Sequence, residues 1–72
     1  MNYYQRILHK EKINDRYVAI ARLHGEIADL KKEINRDPSA KVKNDEISIE
    51  IKSKQERANE LLDEIIKMEN ET

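Results

Sequence analysis

The sequence predicts an all-α fold: a two-helix antiparallel coiled-coil hairpin that self-associates into a four-helix bundle or a larger helical oligomer. Three observations predict it. Isoleucine recurs at heptad spacing at Ile13, Ile20, Ile27 and Ile34, with Leu23 and Leu30 interleaved. The lone proline, Pro38, falls just past the middle of the chain. Beyond it a second stripe runs through Ile47, Ile51, Ala58, Leu61, Ile65 and Met68. Steps of three and four line one side of an α-helix, so each half reads as one amphipathic helix.

The chain is read as a single domain, residues 1–72. The first helix spans residues 3–35, carried by the isoleucine repeat. Asn35, Arg36 and Asp37 read as the turn, placed at 36–38. Asp37 is a good N-cap residue and proline is favoured at the first helical position, so the second helix is expected over 39–69. A start at Asn44 or Asp45, with 37–43 as a longer loop, is the alternative. Lys54 is the one polar residue in the second stripe, between Ile51 and Ala58.

A short turn forces the two helices to run antiparallel, pairing positions whose numbers sum to about 75. Ile34 is then expected beside Val42, Ile27 beside Ile47, Leu23 beside Ile51, Tyr17 beside Ala58, and Ile13 beside Leu62. His9 falls beside Ile65. Large Tyr17 against small Ala58 fits the complementarity of a packed seam. Residues 1–22 are mainly basic and residues 60–72 mainly acidic. The hairpin brings those ends together, with the first helix's cations paired to the second helix's carboxylates.

The chain holds more apolar surface than one hairpin covers. Val18, Ala21, Gly25 and Ala28 make a second stripe of small residues on the first helix, and Leu62 and Ile66 flank the main stripe of the second. These six are the candidate oligomer interface. Gly25 in a helix interior lowers stability by about 1 kcal/mol relative to alanine. It reads either as an exposed, tolerated position or as a point where another backbone approaches. Tyr3, Tyr4, Ile7 and Leu8 fall partly outside the isoleucine register. They either cap the bundle's end or form an amphipathic patch for a protein partner, since tyrosine is favoured at interfaces.

The chemistry of the chain argues against several functions. There is no cysteine, and neither the His-Glu-x-x-His nor the Glu-x-x-His spacing of helical metal sites occurs around His9 and His24. No phosphate loop or nucleophile motif is present. The expectation is a non-enzymatic protein without metal or cofactor. Charged residues form 40% of the chain but nearly cancel, 14 basic against 15 acidic, and the pI is about 6.1. Both argue against nucleic acid as the partner. No apolar run reaches membrane-spanning length and the N-terminus lacks a secretory signal, so a cytoplasmic protein is expected.

One short resemblance bears on function. The segment Arg16-Tyr17-Val18-Ala19-Ile20-Ala21-Arg22 resembles a stretch in phage proteins that sequester cyclic-nucleotide immune signals. It spans seven residues and lies here in the first helix rather than after a hairpin. The resemblance implies an oligomer with ligand sites between subunits. The leading expectation is an interaction protein that self-associates and binds a macromolecular partner, as a regulator, inhibitor or assembly adaptor. Nucleotide sequestration is second, and an accessory role on nucleic acid third.

Overall fold

The computed structural model describes residues 2–71 and shows two helices, α1 (Tyr3–Arg36) and α2 (Lys41–Asn70), with no strand among the described residues. They pack along their length as a hairpin with Cα extents of 57 × 15 × 11 Å. α1 opens with a capping box: the Asn2 side chain accepts from the Gln5 backbone N–H at 2.8 Å. Gln5 Oε1 in turn accepts from the Asn2 N–H. Two of the N–H groups left unpaired at a helix start are thereby satisfied.

The connection differs from the expected one. Asp37 does not cap α2; it ends α1, and α2 starts at Lys41 behind Ala40, which makes no side-chain cap. The reason lies in the turn. The Ala40 N–H donates to the Asp37 carbonyl at 3.3 Å, closing a four-residue turn with Asp first and Pro second. Those are the positions a type I turn favours. The Ser39 hydroxyl donates to Asp37 Oδ1 at 2.9 Å, which occupies the carboxylate. Asn44 Nδ2 reaches back to the Asp37 carbonyl at 2.9 Å and ties the first turn of α2 to the end of α1.

The core is a single seam. Ile27, Ile47, Ile51, Ala58, Leu61 and Ile65 are buried, Ile65 most completely at 1% exposure. Leu30 and Ile34 pack against the Ile27–Ile47–Ile51 cluster. That cluster agrees with the expected register at Ile27 and Ile47.

Three expected pairs need correction. Val42 is 75% exposed and does not meet Ile34. Leu62 is also exposed; Leu61 and Ile65 take the seam positions instead. Tyr17 is 48% exposed and does not cover Ala58. The seam of α1 runs through Arg16, which is half-buried between Ile13 and Ile20. Both 13-16-20 and 13-17-20 satisfy helical spacing. The arginine is admitted because its aliphatic stem lies along the seam while its guanidinium reaches the edge.

Each helix therefore carries one cation in its seam, and each cation crosses to a glutamate on the other helix. Arg16 Nε donates to Glu64 Oε2 at 3.0 Å, and Lys54 Nζ to Glu26 Oε2 at 2.6 Å. The two helices repeat the same order: Ile13, Arg16, Ile20, Leu23, Glu26, Ile27 in α1 answers Ile51, Lys54, Ala58, Leu61, Glu64, Ile65 in α2. Helical side chains lean toward their own N-terminus, so in an antiparallel pair these long residues lean toward each other.

Substitution at Lys54 and Glu26 tests this arrangement. Glu26→Lys, which sets two ammonium groups against each other, should lower the thermal midpoint by several degrees. Adding Lys54→Glu to restore the pair in reverse should recover most of the loss. Calorimetry on the two variants makes the comparison. Gly25 offers a second test, because a Cβ built there meets nothing within 4 Å. Gly25→Ala should stabilise the chain by about 1 kcal/mol from helix propensity alone.

Candidate interaction surface

Successive helical residues advance by about 100°, so the residues beside each seam divide the hairpin into two broad faces. Every ion pair named so far lies on one of them. Arg16–Glu64 and Lys54–Glu26 run along it, joined by Lys54–Glu50 at 4.0 Å and Arg57–Glu60 at 3.2 Å. Asp15, Arg22 and Glu33 of α1 also turn toward this side.

The opposite face is less charged. Tyr17, Ala21, His24 and Ala28 turn toward it from α1 with Lys10 and Lys31, and Ser48, Gln55, Asn59, Leu62 and Ile66 from α2 with Lys41, Asp45, Lys52 and Glu69. Two observations confirm that these residues share one side. The Tyr17 hydroxyl donates to Glu69 Oε1 at 3.3 Å across the groove. A shallow depression of about 320 Å³ is lined jointly by His24, Ile27, Ala28, Lys31 and Gln55. Leu62 and Ile66 are exposed here at 45% and 49%.

The expected interface residues thus separate into two groups. Ala21, Ala28, Leu62 and Ile66 fall on this one face. Val18 and Gly25 lie on the outer side of α1, directed away from α2. Tyr17 belongs with the first group and the sequence reading missed it, having placed it in the seam. The signal in the sequence is the heptad spacing Ile13-Arg16-Ile20, which the seam of α1 follows.

At the open end, Tyr3, Tyr4, Ile7 and Leu8 are all exposed. Tyr3 and Ile7 lie two heptads before Tyr17 and Ala21 and continue the same face, whereas Tyr4 falls in line with Val18 on the outer side of α1 and Leu8 in line with Asp15 and Arg22. Seam closure at that end is made by His9, whose Nε2 donates to the Met68 carbonyl at 2.7 Å. A carbonyl in the last turn of α2 thereby gains a partner. Of the basic residues near that end, Arg16 is paired to Glu64 as the charge distribution predicts.

Two side chains have displaced proton affinities. The Tyr17 phenol is raised above its ordinary 10.0, first by the negative charge of Glu69, then by partial burial and by its hydrogen bond to the same carboxylate. The Lys54 ammonium is raised above 10.5, chiefly by its hydrogen bond to Glu26; partial burial opposes this, and the charges of Glu26 and Glu50 assist it.

Among the described residues no group of three or more His, Cys, Asp or Glu is arranged to hold a metal ion. Among the same residues no helix is long and apolar enough to cross a membrane. Comparison with protein-family models, curated protein sequences and solved structures gives no match. The surface chemistry therefore carries the functional reading.

Both raised groups hold their protons more tightly in the folded chain than in the unfolded one. The stability they contribute is complete below 10.0 and 10.5 respectively, and is lost as pH rises through their folded values. Alkaline titration followed by tyrosinate absorbance, with the Tyr17→Phe curve subtracted, isolates Tyr17. Its transition should lie above pH 10.0 and move down in Glu69→Gln.

Proposed function

We propose that this protein is a small non-enzymatic interaction protein that self-associates and acts by binding a macromolecular partner, as a regulator, inhibitor or assembly adaptor. One observation carries the reading. Among the described residues six are buried, while Tyr3, Tyr4, Ile7, Leu8, Tyr17, Val18, Val42, Ile49, Leu62 and Ile66 stay exposed. A hairpin one seam wide gives these side chains nothing to pack against. Isolated exposed apolar residues are ordinary on protein surfaces, but contiguous groups mark sites of association.

The exposed area supports the same reading. A compact protein of 8.6 kDa exposes about 4,700 Å². This chain exposes 5753 Å², so the elongated hairpin leaves an excess that association can cover. In this reading the less charged face bearing Tyr17, Leu62 and Ile66 serves self-association, and the Tyr3, Tyr4, Ile7, Leu8 end serves the protein partner. Tyrosine suits that role because it brings large contact area with few rotatable bonds.

Nucleotide sequestration is the second reading, favoured by the depression beside Lys31, His24 and Gln55. A cation, an imidazole and an amide are suitable donors and acceptors for a phosphate and a base. The depression is shallow in one chain and needs a second subunit to enclose a ligand.

The two readings give different results. If partner binding is correct, Tyr4→Ala reduces capture of the partner tenfold or so, the effect of losing about 1.4 kcal/mol at an interface. Helicity and oligomer size stay unchanged. Sequestration instead predicts a thermal shift with cyclic nucleotides that Lys31→Ala abolishes. Protein that shows neither self-association nor partner capture would contradict the proposal.

A further inference from the structure

We propose that two copies of this chain, refolding together at high concentration, exchange their second helices, so that α1 of each packs against α2 of the other in the register of the hairpin. The surface that binds the second copy is then the seam itself. This goes beyond association through the Tyr17 face and does not rest on it.

Three observations carry the exchange. The first is that the seam is made between α1 and α2 alone among the described residues, and a second copy supplies the same α2. Ile27 keeps Ile47 and Ile51 as neighbours, Arg16 keeps Glu64, and Lys54 keeps Glu26. The exchanged seam buries the same side chains, and both ion pairs hold it in the same register.

The second is that little holds the connection closed. Ala40, at the start of α2, makes no side-chain cap, so opening the turn gives none up. The bonds that close it converge on Asp37, from the Ser39 hydroxyl, the Ala40 N–H at 3.3 Å and Asn44 Nδ2. Asp37 and Ser39 are exposed, so water replaces most of what is lost.

The third is a cost of the closed form. With Asn44 tied to Asp37, its Oδ1 is buried and has no hydrogen-bond partner. A buried acceptor without a donor is unfavourable, and opening the turn frees Asn44 to meet water. The reach is sufficient as well: residues 37–40, between Arg36 and Lys41, span about 14 Å when extended. That carries α2 across to a second α1 whose turn end abuts the first. Short connections under such a cost are where an identical element passes between copies.

Full-length chains with charges reversed on one helix only test the exchange. One chain carries Arg16→Glu and Glu26→Lys, the other Lys54→Glu and Glu64→Lys. Each alone opposes like charges at both positions, whether it closes on itself or exchanges with its own kind. Unfolded and refolded together, the two match at every pair only by exchanging α2. Sedimentation should show a 1:1 heterodimer, and circular dichroism should show it melting several degrees above either chain alone. Closed hairpins that dock through an outer face keep the clashing pairs and melt no higher than the separate chains. A heterodimer without that rise, or none at all, overturns the exchange and leaves association through the Tyr17 face standing. Wild type refolded at millimolar concentration should likewise yield a dimer that persists after dilution to micromolar, because release requires the seam to reopen. A sample that becomes monomeric at once on dilution overturns the proposal.

Discussion

The structure depends on two cations placed inside an otherwise apolar seam. An all-apolar heptad seam between two helices can slide by one heptad and still bury isoleucine against isoleucine, because each register offers the same kind of contact. Arg16 and Lys54 restrict that freedom. Each has an apolar stem that fits the seam and a charged end that needs a carboxylate at the edge. In the observed register Glu64 and Glu26 supply the two carboxylates. A shift of one heptad in one direction sets Lys54 level with Ala19 and Arg16 level with Arg57, and both pairs are lost. The opposite shift sets them level with Glu33 and Glu71, and there it is the short turn between Arg36 and Lys41 that holds the register. Polar residues at seam positions act in this way in coiled coils generally, lowering stability slightly while specifying one alignment. The matched order of residues in the two helices makes both locks engage in the same register.

The same ion pairs give the hairpin two unlike faces. Glu26, Glu50 and Glu64 must lie on the side toward which Lys54 and Arg16 extend, so that side becomes charged. The other side holds Tyr17, Ala21, Ala28, Leu62 and Ile66 among fewer charges. What sets the register thus also decides how charge is divided between the two faces. The Tyr17–Glu69 bond crosses the less charged face and joins the two helices there.

Much of the fold was legible from residue spacing. The isoleucine heptad, the single proline and the second stripe define two helices, their antiparallel direction and the contact of Ile27 with Ile47. Three details were not legible, each for a physical reason. The start of α2 was misplaced because Asp-Pro-Ser is equally a capping signal and a turn signal, and the Asn44 side chain, seven residues away, decides between them. The seam position of Arg16 rather than Tyr17 is not legible from spacing, because both fit between Ile13 and Ile20 and only the carboxylate of Glu64 on the other helix favours the arginine. Leu62 was paired with Ile13 because Leu61 and Leu62 are adjacent and identical, and only the packed register tells them apart. The candidate surface was legible in its residue types but not in its grouping. Ala21, Ala28, Leu62 and Ile66 come together on one face while Val18 and Gly25 do not, and that division depends on how the two helices are rotated against each other.

The central claim is that one register, fixed by the short turn together with Arg16 and Lys54, organises the whole molecule. Methyl-to-methyl nuclear Overhauser contacts measured on isotopically labelled chains diluted with unlabelled ones, so that only intrachain contacts are seen, test it most directly. The account predicts contacts from Ile27 to both Ile47 and Ile51 and from Leu30 and Ile34 to the same cluster, with none between α1 and Val42 or Ile49. Contacts displaced by a heptad, or α1 contacts to Val42 and Ile49, would contradict it.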